Sequence, residues 1–394
     1  MSRAGSGIRN RRTLLKQSLI SGGVLLSGLH RVRWPENDAD SDFTEQGVRL
    51  GVVPFSDASA VDMDVPLGAE LDGRLFTDLS SLTPENAITP TKNFYIRTRA
   101  SKLLNASKPW SISLGGSAEK PAAIPVEQLR KMAKPIGLRL MECAGNFRGA
   151  HFGMVSVADW RGVPLQEVLQ IAKPAAPGGR ILISGFDQYA YESRSSIPGA
   201  SWIFTPEQLK AAGAFFATEM NGEGLTPDHG APIRMVVPGW YGCTCIKWVN
   251  EIAFVNDEAP ATSQMQEYAG RTGQVGVPVL ARQYEPALID YAAIPIRIEK
   301  WAVNGKTEFR VTGIQWGGSQ KIDGLEIQFN ADEGFVPVED FKISAEGVWN
   351  FWRHVWAPQK PGRYLIRLRV KGPDVIARRL NSGYYLRSVD IKEI

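Results

Sequence analysis

The chain has 394 residues, enough for two domains, and its 43% hydrophobic and 22% charged residues are ordinary for a folded globular protein. The formal charge of +4 is gathered at one end: residues 1–33 hold seven of the 45 basic residues and no acid, leaving 38 basic against 41 acidic residues elsewhere. A mildly acidic body excludes a nucleic-acid binder built on a broad basic face, and three cysteines (Cys143, Cys243, Cys245) exclude a disulfide framework.

In chain order, Asn10-Arg-Arg-Thr-Leu-Leu-Lys16 precedes an apolar stretch from Ser18 to Leu29. A basic start followed by a short apolar segment is an export-signal pattern, and paired arginines make it a twin-arginine-type signal. Residues 1–33 are therefore expected to direct an already folded chain to the periplasm. The segment is too short and too glycine-rich for a confident membrane span. From Val48 to Tyr284 the texture is mixed. Asn93–Thr98, Leu138–Glu142, Ile181–Gly185 and Ile233–Val237 read as strands, whereas Val126–Met132, Leu165–Ile171 and Pro206–Ala211 read as helices. Such mixing with Pro and Gly punctuation predicts an α+β domain over residues 48–285. From Ile294 the pattern turns to alternation, in Ile296–Glu299, Phe309–Val311, Leu325–Phe329, Tyr364–Val370 and Val389–Ile391. Short spaced strands of this kind predict an antiparallel β-sandwich over residues 294–394. Trp349, Trp352 and Trp356 are assigned to its packing.

Two stretches carry the chemistry. In Leu138-Arg-Leu-Met-Glu-Cys-Ala-Gly-Asn-Phe-Arg148 a strand runs into a tight turn and leaves Cys143 at the strand end, where sites are commonly built. A soft thiolate there is a good metal ligand, and a buried inert thiol is the alternative. In Asp228–Trp248 a buried-looking strand leads through Pro238-Gly239 into a loop of small residues flanked by His229, Arg234 and Lys247. Small residues permit close backbone approach and basic side chains suit a phosphate, so an anion site and a solvated basic surface both remain open. Neither stretch fits a Walker loop or a dinucleotide fingerprint. No Cys-x-x-Cys-His haem attachment occurs in this chain.

Taken together and in order, Glu142-Cys-Ala-Gly-Asn-Phe-Arg148, Asp159-Trp-Arg-Gly-Val-Pro-Leu165, Met220-Asn-Gly222, His229-Gly-Ala-Pro-Ile-Arg234 and Pro238-Gly-Trp-Tyr-Gly-Cys-Thr-Cys-Ile-Lys-Trp248 resemble the sulfite oxidase family of molybdopterin-dependent oxidoreductases. Ile314–Gly318 and Trp349–Trp356 are similar to tryptophan-rich strands of that family's immunoglobulin-like dimerisation domain. The resemblance implies a sulfite oxidase-like molybdopterin-binding domain followed by an immunoglobulin-like β-sandwich. It also implies a molybdenum–molybdopterin cofactor whose metal is held by Cys143. His229, Arg234 and Lys247 match positions that contact the pterin or its phosphate, and Asp187 resembles an aspartate near the pterin. Arg97, Arg148, Tyr268 and, by a count back from Val389, Arg379 match the substrate pocket.

The activity so implied is oxygen-atom transfer: oxidation of sulfite or a related small sulfur compound, with electrons passed to an external carrier such as a c-type cytochrome. The alternative is reduction of an S-oxide such as methionine sulfoxide. A homodimer is expected, and no nucleic-acid partner. The chain departs from the family pattern in the short connection after Arg148 and in Arg99, which stands where histidine is common. Both departures bear on the substrate. Cys243 and Cys245 match no family ligand; a Cys-x-Cys disulfide would be strained, so two packed thiols are expected.

Overall fold

The computed structural model describes residues 47–57, 64–66, 70–105, 108–118, 122–172, 179–193, 199–341 and 347–394. The expected export signal at residues 1–33 lies outside them. The described residues all fall within one compact unit and form four sheets of four or five strands, one two-stranded sheet and five short α-helices.

The sheet that carries the cysteine is antiparallel. Its strands run in the order Glu223–Gly224, Phe215–Met220, Val155–Pro164 and Lys134–Glu142, with Arg234–Val236 also paired to Phe215–Met220. Residues Val155 to Ala158 are all buried, because both faces of this sheet are covered, and they accordingly read as an unbroken run rather than an alternation. The expected strand at Leu138–Glu142 begins earlier, at Lys134. The register pairs Leu140 with Val157 and Glu142 with Val155, which sets the strand end directly beside the start of its neighbour.

A second sheet runs Ala122–Pro125, Ser111–Gly116, Val249–Val255, Arg180–Gly185, Ser201–Phe204, with Val249–Val255 parallel to Ser111–Gly116 and the other pairs antiparallel. The helices Val126–Met132 and Pro206–Ala211 occupy the residues expected. The second of them starts where Thr205 and Gln208 exchange side-chain and backbone hydrogen bonds, with Pro206 at the first position, where a missing N–H costs nothing.

One expected element is absent. Asn93–Thr98 is not a strand: a 3-10 turn over Thr91–Asn93 leads into a single bridge between Ile96 and Leu75. Its apolar run Phe94, Tyr95 and Ile96 is buried as three consecutive residues and forms no ladder.

The C-terminal third holds the remaining two larger sheets. One runs Val48–Val52, Ala292–Val303, Lys306–Trp316, Asn350–Trp356, Asp340–Phe341; the other runs Val336–Pro337, Gly324–Gln328, Gly362–Lys371, Arg387–Ile391. Ala292–Val303 and Lys306–Trp316 are joined by Asn304-Gly305, both at positive φ, the two-residue hairpin turn that matches strand twist. Asn350–Trp356 alternates buried and half-buried residues. Trp352 lies against Gly313 on the neighbouring strand, where a Cβ would meet the indole at 2.1 Å. Trp356 stacks on Phe329 with centroids 4.3 Å apart and meets Tyr364 edge-on at 4.7 Å, so aromatic rings join the two sheets. Trp349 reaches outside this region, donating from Nε1 to the carbonyl of Ala87 at 3.0 Å.

Candidate active site

The strand Lys134–Glu142 delivers Cys143 into a tight turn. The Cys143 N–H donates to Met154 O at 2.9 Å, the Asn146 N–H donates back to Cys143 O at 2.9 Å, and the Gly145 N–H donates to Cys143 Sγ at 3.3 Å. Asn146 stiffens the turn by accepting from the Met154 N–H at 3.1 Å and donating to Glu142 Oε1 at 3.2 Å. The thiol is buried, and burial raises its pKa while the nearby Arg97 acts against that rise.

Cys143 lines a cavity that opens to solvent, with about 860 Å³ of non-atom space when that open solvent is included. Its walls come from segments far apart in sequence: Phe94–Thr98, the end of the cysteine strand, Tyr189, Gly199–Ala200, Asp228, Gly242–Trp248 and the helix Ser263–Tyr268. Glycine is needed at 242, because a Cβ there would lie 2.6 Å from the Tyr95 hydroxyl.

Of the expected site residues, Arg97, Cys143, Arg234, Lys247 and Tyr268 line this cavity. Arg234 is buried. It donates through Nη1 to His229 O at 3.0 Å and lies 5.8 Å from the Trp160 ring, while its Nε has no hydrogen-bond partner among the described residues. Lys247 donates to the carbonyls of Thr98 and Asp228 and lies 4.3 Å from the Trp248 ring. Burial, followed by the field of Arg234, holds its ammonium pKa well below the ordinary value. Tyr268 ends the helix Ser263–Tyr268 beneath the Arg271 guanidinium, 5.3 Å from the ring centroid. Burial raises the Tyr268 phenol pKa, so it remains a proton donor at any working pH.

The other expected residues stand back. His229 is buried and uses both ring nitrogens on protein, Nδ1 with the Thr226 hydroxyl at 2.7 Å and Nε2 with Phe94 O at 3.1 Å. Burial lowers its pKa to about 4. Asp187 accepts from the Gly199 N–H at 2.7 Å, one residue behind the wall. Arg148 is half-exposed, its Nε 3.9 Å from Asp57. Arg379 donates to Ala144 O at 2.7 Å and Arg271 O at 2.8 Å. Neither Arg148 nor Arg379 is part of the cavity wall. Cys243 and Cys245 are free, buried thiols, and both contribute to the wall.

Three residues were not anticipated. Arg74 is buried near Arg97 and Cys143, and burial lowers its pKa to about 10. Arg271 reaches the cysteine turn: a Cβ on Gly145 would lie 3.7 Å from its Nη1. Glu142 is fully buried, and its carboxylate accepts from Trp316 Nε1 at 2.8 Å and from Tyr385 OH at 3.1 Å. Glu142 stands in the motif quoted for Cys143, so its position was legible although its partners were not.

The charges around the cavity are lopsided. Arg74, Arg97, Arg234 and Lys247 gather near a buried thiol and Arg99 pairs with Asp228 at 2.8 Å, against which Asp72 near Arg74 and Glu267 on the wall are the other carboxylates. A low-dielectric cluster of cations is stabilised by an anion that fills the space between them. An unpartnered buried guanidinium Nε on the wall points the same way. The donor set thus fits an anionic, phosphate-bearing group adjoining a thiolate-bound metal.

Residues 100–263 match the family described as the oxidoreductase molybdopterin binding domain. The chain is 25% identical to sulfite oxidase from Gallus gallus over 272 residues, covering 64% of this chain and 58% of that protein. It is 29% identical to an NADPH nitrate reductase from Aspergillus niger over 212 residues, 49% of this chain and 23% of that protein. A nitrate reductase from Betula pendula is 26% identical over 317 residues, 70% of this chain and 34% of that protein. The chain thus spans only part of the length of these curated relatives. In fold it is similar to the sulfane dehydrogenase SoxCD from Paracoccus pantotrophus, with a TM-score of 0.61 at 16% identity over 83% of this chain and 88% of that one. Residues 100–263 thus read as an oxidoreductase molybdopterin binding domain, and the chain around them is similar to sulfite oxidase and to nitrate reductases. A molybdopterin binding domain implies the molybdenum cofactor.

Proposed function

We propose that the protein catalyses oxygen-atom transfer at a molybdenum cofactor, oxidising sulfite or a related small sulfur compound and passing the electrons to an external carrier such as a c-type cytochrome. The observation that carries this reading is the buried Cys143 thiol opening onto a cavity lined by Arg97, Arg234 and Lys247. When bound, the cofactor supplies a two-electron redox centre with an exchangeable oxygen.

The chain's own residues divide the remaining work. Cys143 holds the metal. Arg234 and Lys247, already desolvated, hold the pterin and its phosphate with little further ordering. Arg97 draws an anionic substrate toward the thiol end of the cavity, and the protonated Tyr268 phenol donates a hydrogen bond there. His229 orients Arg234 through its carbonyl.

A second reading is reduction of a neutral S-oxide such as methionine sulfoxide. Arg148 turns to Asp57 and Glu267 joins the cavity wall, so fewer cations are set against a dianion at that end. Steady-state assays of wild-type protein with sulfite and with methionine sulfoxide, using artificial electron carriers, separate the two.

The central test is metal content. Cys143→Ser is expected to lose bound molybdenum and at least 100-fold in turnover, in line with losing the metal's protein ligand. Full molybdenum content and activity in Cys143→Ser would sink the reading. The immunoglobulin-like domain at 294–394, the homodimer, and export to the periplasm by residues 1–33 belong to the same proposal. The two aromatic-joined sheets support the first, the family resemblance the second, and the Arg11-Arg12 signal pattern the third. Among the described residues no helix is long and apolar enough to cross a membrane.

A further inference from the structure

We infer that Arg379 tunes the sulfur of Cys143 through a single peptide group, as a positioning residue supplied by the C-terminal third of the chain. The inference rests on the reading that Cys143 holds the metal. Arg379 Nη2 donates to the carbonyl oxygen of Ala144 at 2.7 Å. The N–H at the other end of that same peptide group, on Gly145, donates to Cys143 Sγ at 3.3 Å. The amide is a planar, delocalised unit, so a cation on its oxygen draws electron density away from its nitrogen and strengthens the N–H as a donor. Guanidinium, peptide and sulfur form one relay, and the first bond in it is charge-assisted.

The relay is built rigidly. Arg379 lies on the short helix Arg378–Asn381. The preceding Arg378 forks onto both oxygens of Asp290 at 2.7 and 2.9 Å, which pins the helix start. The Arg379 guanidinium sits 4.8 Å from the Tyr241 ring and 5.4 Å from the Tyr384 ring, and donates to Arg271 O as well. Tyr384 in turn donates to Asn146 O at the end of the cysteine turn.

A hydrogen bond to a metal-bound thiolate withdraws density from sulfur, weakens its donation and raises the reduction potential of the metal. Losing Arg379 therefore shifts the potential of the bound metal downward and moves its thiolate-to-metal charge-transfer absorption to longer wavelength.

The test compares Arg379→Gln, Arg379→Lys and Arg378→Gln with wild type, each normalised to molybdenum content. Glycine-selective ¹⁵N labelling gives the Gly145 amide resonance in loaded and in cofactor-free protein, and a redox titration gives the potential. The expected result is an upfield Gly145 amide proton and a lowered potential in Arg379→Gln, substantial recovery of both in Arg379→Lys, and only a smaller shift of each in Arg378→Gln, which loosens the helix start but keeps the Arg379 guanidinium. If Arg379→Gln does not fold, wild type decides: a Gly145 amide exchanging with solvent at the rate of an unprotected amide overturns the relay. An unmoved resonance and potential in folded Arg379→Gln overturn it as well. Because the amide signal is read with and without cofactor, failure of the relay is distinguishable from failure of Cys143 as ligand, which appears instead as retained molybdenum in Cys143→Ser.

Discussion

His229 is a basic residue that the fold keeps neutral. Its ordinary pKa of 6.5 falls to about 4 because burial strips water from the imidazolium. With Nε2 donating to Phe94 O, Nδ1 is free to accept from the Thr226 hydroxyl, a pattern available only to the neutral ring. The unfolded chain binds a proton below pH 6.5 that the folded chain refuses until about 4, so acid favours unfolding. Stability is full above about pH 6.5 and falls through the window down to about pH 4, by about 3 kcal/mol at the limit. A His229→Gln variant should show a shallower fall across that window in urea denaturation, and an identical slope would show that another group governs it. At the same scale, Arg148 illustrates what residue type leaves open. Its place five residues after Cys143 suggested a pocket role, yet Asp57 lies within reach of the guanidinium and the chain turns it outward.

The element that matters most is the strand Lys134–Glu142 with the turn it feeds. The strand-like run Leu138–Glu142 and the Ala-Gly-Asn turn made it legible in sequence, and its last three residues are buried. Glu142 is a carboxylate with no exposed surface whose pKa burial raises, and it is retained because Trp316, Asn146 and Tyr385 all donate to it. Glu142→Ala would leave three buried donors unmatched, which costs about 3 kcal/mol or more. Chemical denaturation with an unchanged m-value should report that loss, and Glu142→Gln, which keeps one acceptor, should lose less. A destabilisation below about 1 kcal/mol would mean that water replaces the carboxylate. The missing strand at Asn93–Thr98 shows the limit at this scale. An apolar run records which side chains are buried, but a ladder also needs a neighbouring strand to pair with, and here Leu75 supplies only one bridge.

Across the whole molecule, the C-terminal third is bonded into the site. Trp316 and Tyr385 reach Glu142, Arg379 reaches Ala144, and Trp349 reaches Ala87. All described residues accordingly belong to one compact unit, and calorimetry should give a single unfolding transition with equal calorimetric and van't Hoff enthalpies. Two separated transitions would show that these contacts do not couple the halves. The amino-acid sequence by itself determined the short helices, the position of Cys143 at a strand end, the shift to alternating strands near Ile294, and the resemblance to the sulfite oxidase family. These follow from patterns within ten or so neighbouring residues, where backbone preference and side-chain period act directly. Only the tertiary structure decided that Arg74 joins Arg97 beside the thiol, that Arg148 leaves for Asp57, and that Arg379 grips the peptide behind the sulfur. Long charged side chains settle wherever a partner compensates their desolvation, and those partners lie tens to hundreds of residues away in the chain.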